Sequence, residues 1–206
     1  MKSRIKQLSN AAIRQSLKQR SVEPYLFPEP EIFVKGPARP AAVLIPLLDN
    51  GGAWELLFIR RTQVEGDPHS GQVAFPGGRM DARDRDPQAT ALRETEEEIA
   101  LAPERIEVLG QLEYMLTISN YKLTPVVGVL PWPVDLVPQP AEVERIFTIP
   151  LEWLAEPRHH RIEQRSLPNS KDAHPVIYFN EHDGELLWGV TAHIVLNFLQ
   201  ALDLTQ

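Results

Sequence analysis

The chain has 206 residues, of which 43% are hydrophobic and 24% are charged, and its formal net charge is −7. Its length suits one domain with a sizeable core, its acidity disfavours a general nucleic-acid binder, and no apolar run approaches the roughly 18 residues of a membrane helix. Cysteine is absent, which excludes disulfides, thiolate zinc sites and a cysteine nucleophile and fits a cytoplasmic protein.

The first 40 residues are predicted to form a helix followed by an extended arm. Apolar residues recur at helical spacing between lysines and arginines: they are Ile5, Leu8, Ala12, Ile13 and Leu17. Several prolines lie within 21–40, so this segment is predicted to be extended and to wrap the domain. The basic start lacks the apolar stretch of a secretory signal. We therefore separate residues 1–40 from a main domain over 41–206.

Three strands are predicted before the centre of the chain. Residues 41–48 are apolar and favour a buried strand, and a turn sequence at 49–52 leads to a returning strand at 54–60. A polar loop over 61–70 contains Asp67 and His69, and a short third strand covers 72–75.

The second half alternates strands with a few helices. Strands are predicted at 106–116, 123–130, 144–149 and 176–179, a proline-rich loop at 131–141, and helices at 151–154 and 187–202. Residues 156–173 are polar and receive no assignment. Mixed strands and helices of this kind predict an α/β or α+β domain.

The stretch from 71 to 101 joins two glycines to an acidic helix. At about 100° per residue, Glu97 and Glu98 lie roughly −60° and +40° from Glu94, so the three carboxylates share one helix face. Leu92, Thr95 and Ile99 occupy the other side, which is suited to the core.

This crowding of carboxylates predicts a cation site. Like charges four residues apart repel each other, and Mg²⁺ or Mn²⁺, which prefer oxygen ligands, remove that cost. The alternative is a solvated acidic face. Gly77 and Gly78 favour the cation site, because glycines permit a close backbone approach to a ligand.

These residues resemble the Nudix box, whose pattern is G-x5-E-x7-R-E-U-x-E-E-x-G-U with U apolar. Gly78 supplies the first glycine, and 93–101 supply the second half. The segment departs from the pattern in four respects: the Gly78–Arg93 spacing is one residue longer, Asp84 replaces the first glutamate, Thr95 replaces an apolar residue, and Ala100 replaces the late glycine.

The longer spacing is similar to that of the coenzyme A pyrophosphatase branch of this family. The resemblance extends over about 41–200 and includes the segments at 69–78, 125–128 and 188–192. Asp67 falls near a position where that branch often has a basic residue, and the coenzyme A 3′-phosphate needs a cation.

The resemblance implies a Nudix-type α/β/α sandwich with a mixed sheet. It also implies metal ligation by the Gly78 carbonyl, Glu94, Glu97 and Glu98, with Mg²⁺ or Mn²⁺ as cofactor. The predicted catalytic residues are Glu94, Glu97, Glu142 and Arg93. Of these, Arg93 is expected to orient a helix carboxylate, and the general base is left open between Glu142 and Glu94. The predicted substrate-binding residues are His69, Arg79 and Phe75.

The implied reaction is hydrolysis of a nucleoside diphosphate-linked pyrophosphate. The first candidate substrate is coenzyme A or acyl-coenzyme A, whose hydrolysis gives adenosine 3′,5′-bisphosphate and 4′-phosphopantetheine or its acyl derivative. One alternative is ADP-ribose or another dinucleotide, and another is a catalytically silent nucleotide-binding module. The expected partner is a small nucleotide, with no nucleic acid or membrane, and a homodimer is a compatible assembly.

Overall fold

The computed structural model describes residues 2–19, 36–66, 70–166 and 173–205. Most of the predicted extended arm, together with Asp67 and His69, lies outside these ranges. In the described ranges, no helix is long and apolar enough to cross a membrane.

Eight strands of the described chain form one mixed sheet. They are β1 (Arg39–Asn50), β2 (Ala53–Arg61), β3 (Val73–Ala74), β4 (Gly77–Arg79), β5 (Glu107–Gln111), β6 (Met115–Leu116), β7 (Tyr121–Leu130) and β8 (Val143–Pro150). β1 runs parallel to β7 and antiparallel to β2 and β4, and β2 also pairs with β3 and β8. A separate hairpin joins β9 (His160–Ser166) to β10 (Ala173–Phe179).

Helices cover both faces of the sheet. They are α1 (Lys2–Ile5), α2 (Asn10–Gln19), α3 (Pro87–Ile99), α4 (Leu151–Leu154) and α5 (Gly189–Ala201). One core cluster packs α2, α4 and α5 against one face, and a second packs α3 against the other. Strand residues alternate between the clusters, as Ile45 and Leu44 do in β1. The predicted α/β/α sandwich is therefore confirmed.

Tertiary pairing changed several predicted elements. The single helix predicted around Ile5 to Leu17 is divided into α1 and α2, and the strand predicted over 106–116 is divided into β5 and β6. β4 and β9 were not predicted. β4 is short and contains two glycines, and β9 is polar because it lies in a two-stranded hairpin with mostly exposed residues.

Local signals explain where α3 begins and ends. The Asp86 side chain accepts a 2.7 Å hydrogen bond from the backbone N–H of Ala89, and Pro87 occupies the first helical position. The helix ends at Ala100, whose φ of 55° is left-handed. Glycine usually fills this conformation because it has no Cβ. The late glycine of the Nudix pattern thus corresponds to a real backbone requirement, which alanine meets with some strain.

Candidate active site

Glu98 is the most enclosed of the predicted carboxylates. It is 1% exposed, and one of its carboxylate oxygens accepts a 2.8 Å hydrogen bond from the backbone N–H of Gly77. Burial raises the pKa of Glu98 to about 7, although the hydrogen bond from Gly77 and the charge of Arg61 both act to lower it. Helix geometry predicts that Glu98 shares a face with Glu94 and Glu97, whereas in the structure Glu98 also belongs to the packed side of α3, with Thr95 and Ile99.

The two glycines of β4 allow the backbone to lie against β1 and α3. A Cβ at Gly77 would collide with the Ala42 carbonyl oxygen, and Gly77 has a φ of 149°. A Cβ at Gly78 would lie 2.5 Å from a carboxylate oxygen of Glu94. Gly78 is therefore adjacent to Glu94, as expected for a backbone ligand beside a carboxylate ligand.

Arg93 connects three acidic side chains. Its Nε and Nη2 donate to both oxygens of Asp84 at 3.0 and 2.9 Å. It also forms ion pairs with Glu94 at 2.8 Å and Glu97 at 3.0 Å. The hydrogen bonds from Arg93 lower the pKa of Asp84 to about 2. Arg93 therefore forms its two-bond pair with Asp84, and it contacts each of the helix glutamates Glu94 and Glu97 through one nitrogen only.

Glu94 and Glu142 add negative charge near Glu98. Partial burial raises the pKa of Glu94, and the charges of Glu97 and Glu142 raise it further. Glu142 also contributes to the raised pKa of Glu98. The N–H of Gln139 donates to the Glu98 carbonyl at 2.8 Å, and the N–H of Glu142 donates to the Gln139 carbonyl at 2.9 Å. These bonds hold Glu142 near the end of α3, although it lies 44 or more residues further along the chain than the helix glutamates.

The three predicted substrate-binding residues have different environments. Phe75 is 2% exposed and stacks on Phe58 at 4.8 Å, so its side chain belongs to the core beneath the site. Arg79 is exposed, and its backbone carbonyl accepts a 3.1 Å hydrogen bond from Arg93. His69 lies outside the described residues. These substrate contacts stay predictions.

The donor set suits a hard divalent cation. Glu94, Glu97, Glu98 and the Gly78 carbonyl offer only oxygen atoms, the ligand type that Mg²⁺ and Mn²⁺ prefer. Within the described ranges, no three acidic or histidine side chains are already gathered as a metal site, and Arg93 holds Glu94 and Glu97 in ion pairs. Metal binding would therefore exchange those ion pairs for metal ligation.

Asp84 and Arg61 contact predicted site residues, although the sequence pattern predicted no role for either of them. Arg61 lies at the end of β2 with a side-chain nitrogen 3.9 Å from Glu98. Two signals were present: Asp84 stands at the position of the first box glutamate, and Arg60 and Arg61 follow the apolar run of the second strand. Adjacent strand residues point to opposite faces, so one of these two arginines had to lie on the α3 side.

The profile of the NUDIX domain matches residues 38–169. The chain belongs to the Nudix family. Over 163 residues it is 38% identical to the uncharacterized Nudix hydrolase NudL of Photorhabdus laumondii, covering 79% of this chain and 84% of that protein. NudL of Yersinia pestis is 36% identical over 168 residues, covering 81% of each chain.

A solved Nudix structure agrees at the level of the fold. The MutT/nudix family protein from Enterococcus faecalis matches with a TM-score of 0.52 and 18% identity, covering 96% of this chain and 70% of that one. Membership of the Nudix family makes the chain a hydrolase that acts on a pyrophosphate-containing substrate.

Proposed function

We propose that this Nudix hydrolase is a metal-dependent pyrophosphohydrolase whose centre is the carboxylate cluster of α3. The buried Glu98 supports this assignment more than any other observation. Its carboxylate accepts from the Gly77 N–H. Burial raises its pKa, the charges of Glu94 and Glu142 raise it further, and a bound cation would offset the cost of the buried charge.

Glu94, Glu97, Glu98 and the Gly78 carbonyl would hold Mg²⁺ or Mn²⁺. When bound, such an ion neutralises phosphate charge and lowers the pKa of a bound water. Gly78 brings its backbone to the carboxylates without a side chain that would displace Glu94. Arg93, fixed by Asp84, holds Glu94 and Glu97 in ion pairs in the metal-free protein, and these two carboxylates would turn from Arg93 to the ion when it binds.

The general base is Glu142 or Glu94. Glu142 is exposed and directly precedes β8. Its carbonyl accepts a 2.9 Å hydrogen bond from the N–H of Thr62, which fixes its backbone. Its side chain can therefore reach a water while its main chain stays in place. Partial burial raises the pKa of Glu94, which favours a role as proton acceptor, but ligation of a cation would compete with that role.

Coenzyme A or acyl-coenzyme A is the substrate that we propose, with cleavage to adenosine 3′,5′-bisphosphate and (acyl-)4′-phosphopantetheine. Support comes from the segment 69–78, the lengthened Gly78–Arg93 spacing and the segment 188–192. The absence of cysteine supports a cytoplasmic location.

Two alternatives are retained. ADP-ribose or another dinucleotide requires the same pyrophosphate chemistry, and Asp67 favours a substrate without a 3′-phosphate. A silent nucleotide-binding module is less supported, because the chain keeps all three helix glutamates at 94, 97 and 98. The homodimer stays a prediction.

A substrate panel tests the proposal. Purified protein is incubated with coenzyme A, 3′-dephospho-coenzyme A, ADP-ribose, NADH and diadenosine polyphosphates, with Mg²⁺ and then Mn²⁺, and products are separated by chromatography. We expect the highest kcat/KM for coenzyme A and a lower value for the dephospho form. A higher kcat/KM for ADP-ribose would transfer the assignment to the dinucleotide alternative, and no turnover of any compound would support the binding module.

A further inference from the structure

Arg61 is fixed by its backbone between two strands at the edge of the carboxylate cluster. Its N–H donates to the Gln72 carbonyl at 3.0 Å, and it lies opposite Val143 in the pairing of β2 with β8. The N–H of the next residue, Thr62, donates to the carbonyl of Glu142. The side chain therefore leaves a rigid backbone on the side of Glu98, close to the candidate base.

The guanidinium of Arg61 is largely uncommitted. Its nearest carboxylate oxygen, on Glu98, is 3.9 Å away, beyond hydrogen-bond distance. Its Nε is buried and has no hydrogen-bond partner among the described residues. The side chain as a whole is 33% exposed, so it is not fully enclosed by the protein.

The neighbouring arginines differ from Arg61 in this respect. Every guanidinium nitrogen of Arg93 donates to a carboxylate. Every guanidinium nitrogen of Arg60, which lies on the other side of β2, donates to Glu144 or Glu185. Both arginines are therefore ion-pair partners of carboxylates, whereas the Nε of Arg61 has no acceptor in the part of the chain that the structure describes.

We propose that Arg61 is a substrate-binding residue that donates to two non-bridging oxygens of the pyrophosphate. The inference rests on the proposed function and assigns a phosphate contact within it. A buried unpaired donor is unfavourable until an acceptor arrives, and the planar fork of arginine matches the oxygens of a phosphate group. One oxygen of Glu98 accepts from Gly77, and the other stays 3.9 Å from the Arg61 guanidinium, so a phosphate would supply the hydrogen-bond acceptor that Glu98 does not.

The competing role for Arg61 is to compensate the charge of Glu98 without touching substrate. The two roles differ in what a lysine can replace: a lysine supplies the charge but not the fork. They also differ in which ligand is affected, since charge compensation acts on the metal affinity of the cluster and a phosphate contact acts on substrate affinity.

The experiment compares the full-length parent with Arg61→Lys and Arg61→Ala, and uses Arg60→Lys as the matched control on the other face of β2. The affinity for α,β-methylene-ADP at saturating Mg²⁺ is measured by titration calorimetry, and Mn²⁺ binding to the free protein is measured by electron paramagnetic resonance. Circular dichroism and thermal melts check that each variant is folded.

We expect the analogue to bind Arg61→Ala about 10- to 100-fold more weakly and Arg61→Lys about tenfold more weakly, with Mn²⁺ affinity unchanged. Arg60→Lys should bind the analogue like the parent. Unchanged analogue affinity in both Arg61 variants, or a parent that does not bind the analogue, would overturn the assignment. So would an effect confined to Mn²⁺ affinity.

The assay also separates this inference from the proposed function. Binding of the methylene analogue needs no turnover. If the parent binds the analogue through Arg61 and cleaves no pyrophosphate, the phosphate contact stands and the hydrolase assignment fails. If the parent cleaves a pyrophosphate and the Arg61 variants retain its KM and analogue affinity, the hydrolase assignment stands and the phosphate contact of Arg61 fails.

Discussion

Replacing Glu98 by glutamine removes a buried negative charge while nearly keeping its shape. In the metal-free parent, the pKa of Glu98 is raised from an ordinary 4.5 to about 7. The folded state therefore holds the proton more tightly, and the parent loses stability as pH rises from about 4.5 through 7. A shift of this size corresponds to about 3 kcal/mol.

The glutamine side chain does not ionise, so the stability of this variant does not fall with rising pH at position 98. Any cost of its buried amide is independent of pH, so the difference in unfolding free energy between variant and parent should change by about 3 kcal/mol in favour of the variant between pH 4.5 and 8. In Tm this is roughly 6–12 °C for a chain of this size. The assay is thermal or urea unfolding with a chelator present, and Glu96→Gln, an exposed residue on the same helix, is the control.

The same variant should lose function. Removing a ligand of the proposed metal centre is expected to lower metal-dependent turnover by at least about 100-fold, and the addition of Mg²⁺ should stabilise the parent more than the variant. A stability difference that stays constant with pH would refute the burial argument. Turnover at the parent rate would refute the metal assignment.

Three further predictions follow from other positions. Ala100→Gly should raise stability by about 0.5–1 kcal/mol, because glycine removes the left-handed strain at the end of α3; urea unfolding measures it, and a loss of stability would contradict it. Gly78→Ala should lower kcat at least about tenfold, because the added methyl group displaces Glu94. A Gly78→Ala variant with the kcat of the parent would refute the close approach of Gly78 to Glu94. Burial lowers the pKa of His193 to about 4, so the parent should lose up to about 3 kcal/mol relative to His193→Gln as pH falls from 6.5 to 4; equal acid profiles would refute this.

The sequence alone was sufficient to predict the local elements of this protein, namely two helices and one hairpin. Helical periodicity located α3 and α5, and turn residues located the β1–β2 hairpin, since these depend on neighbours a few positions away. The shared face of Glu94, Glu97 and Glu98 follows from helix geometry in the same way. The box pattern then predicted the family and the fold, which both proved correct.

Only the tertiary structure decided what surrounds those residues. Glu98 is buried because α3 packs against β4, so that its carboxylate meets the Gly77 N–H. Asp84 accepts the fork of Arg93, and Arg61 reaches the cluster from β2. β9 was not predicted because its sequence is polar throughout most of its length, and it is a strand because it pairs with β10. Spacing along a chain fixes which side chains share a face, but burial, long-range ion pairs and strand partners depend on segments that meet only after folding.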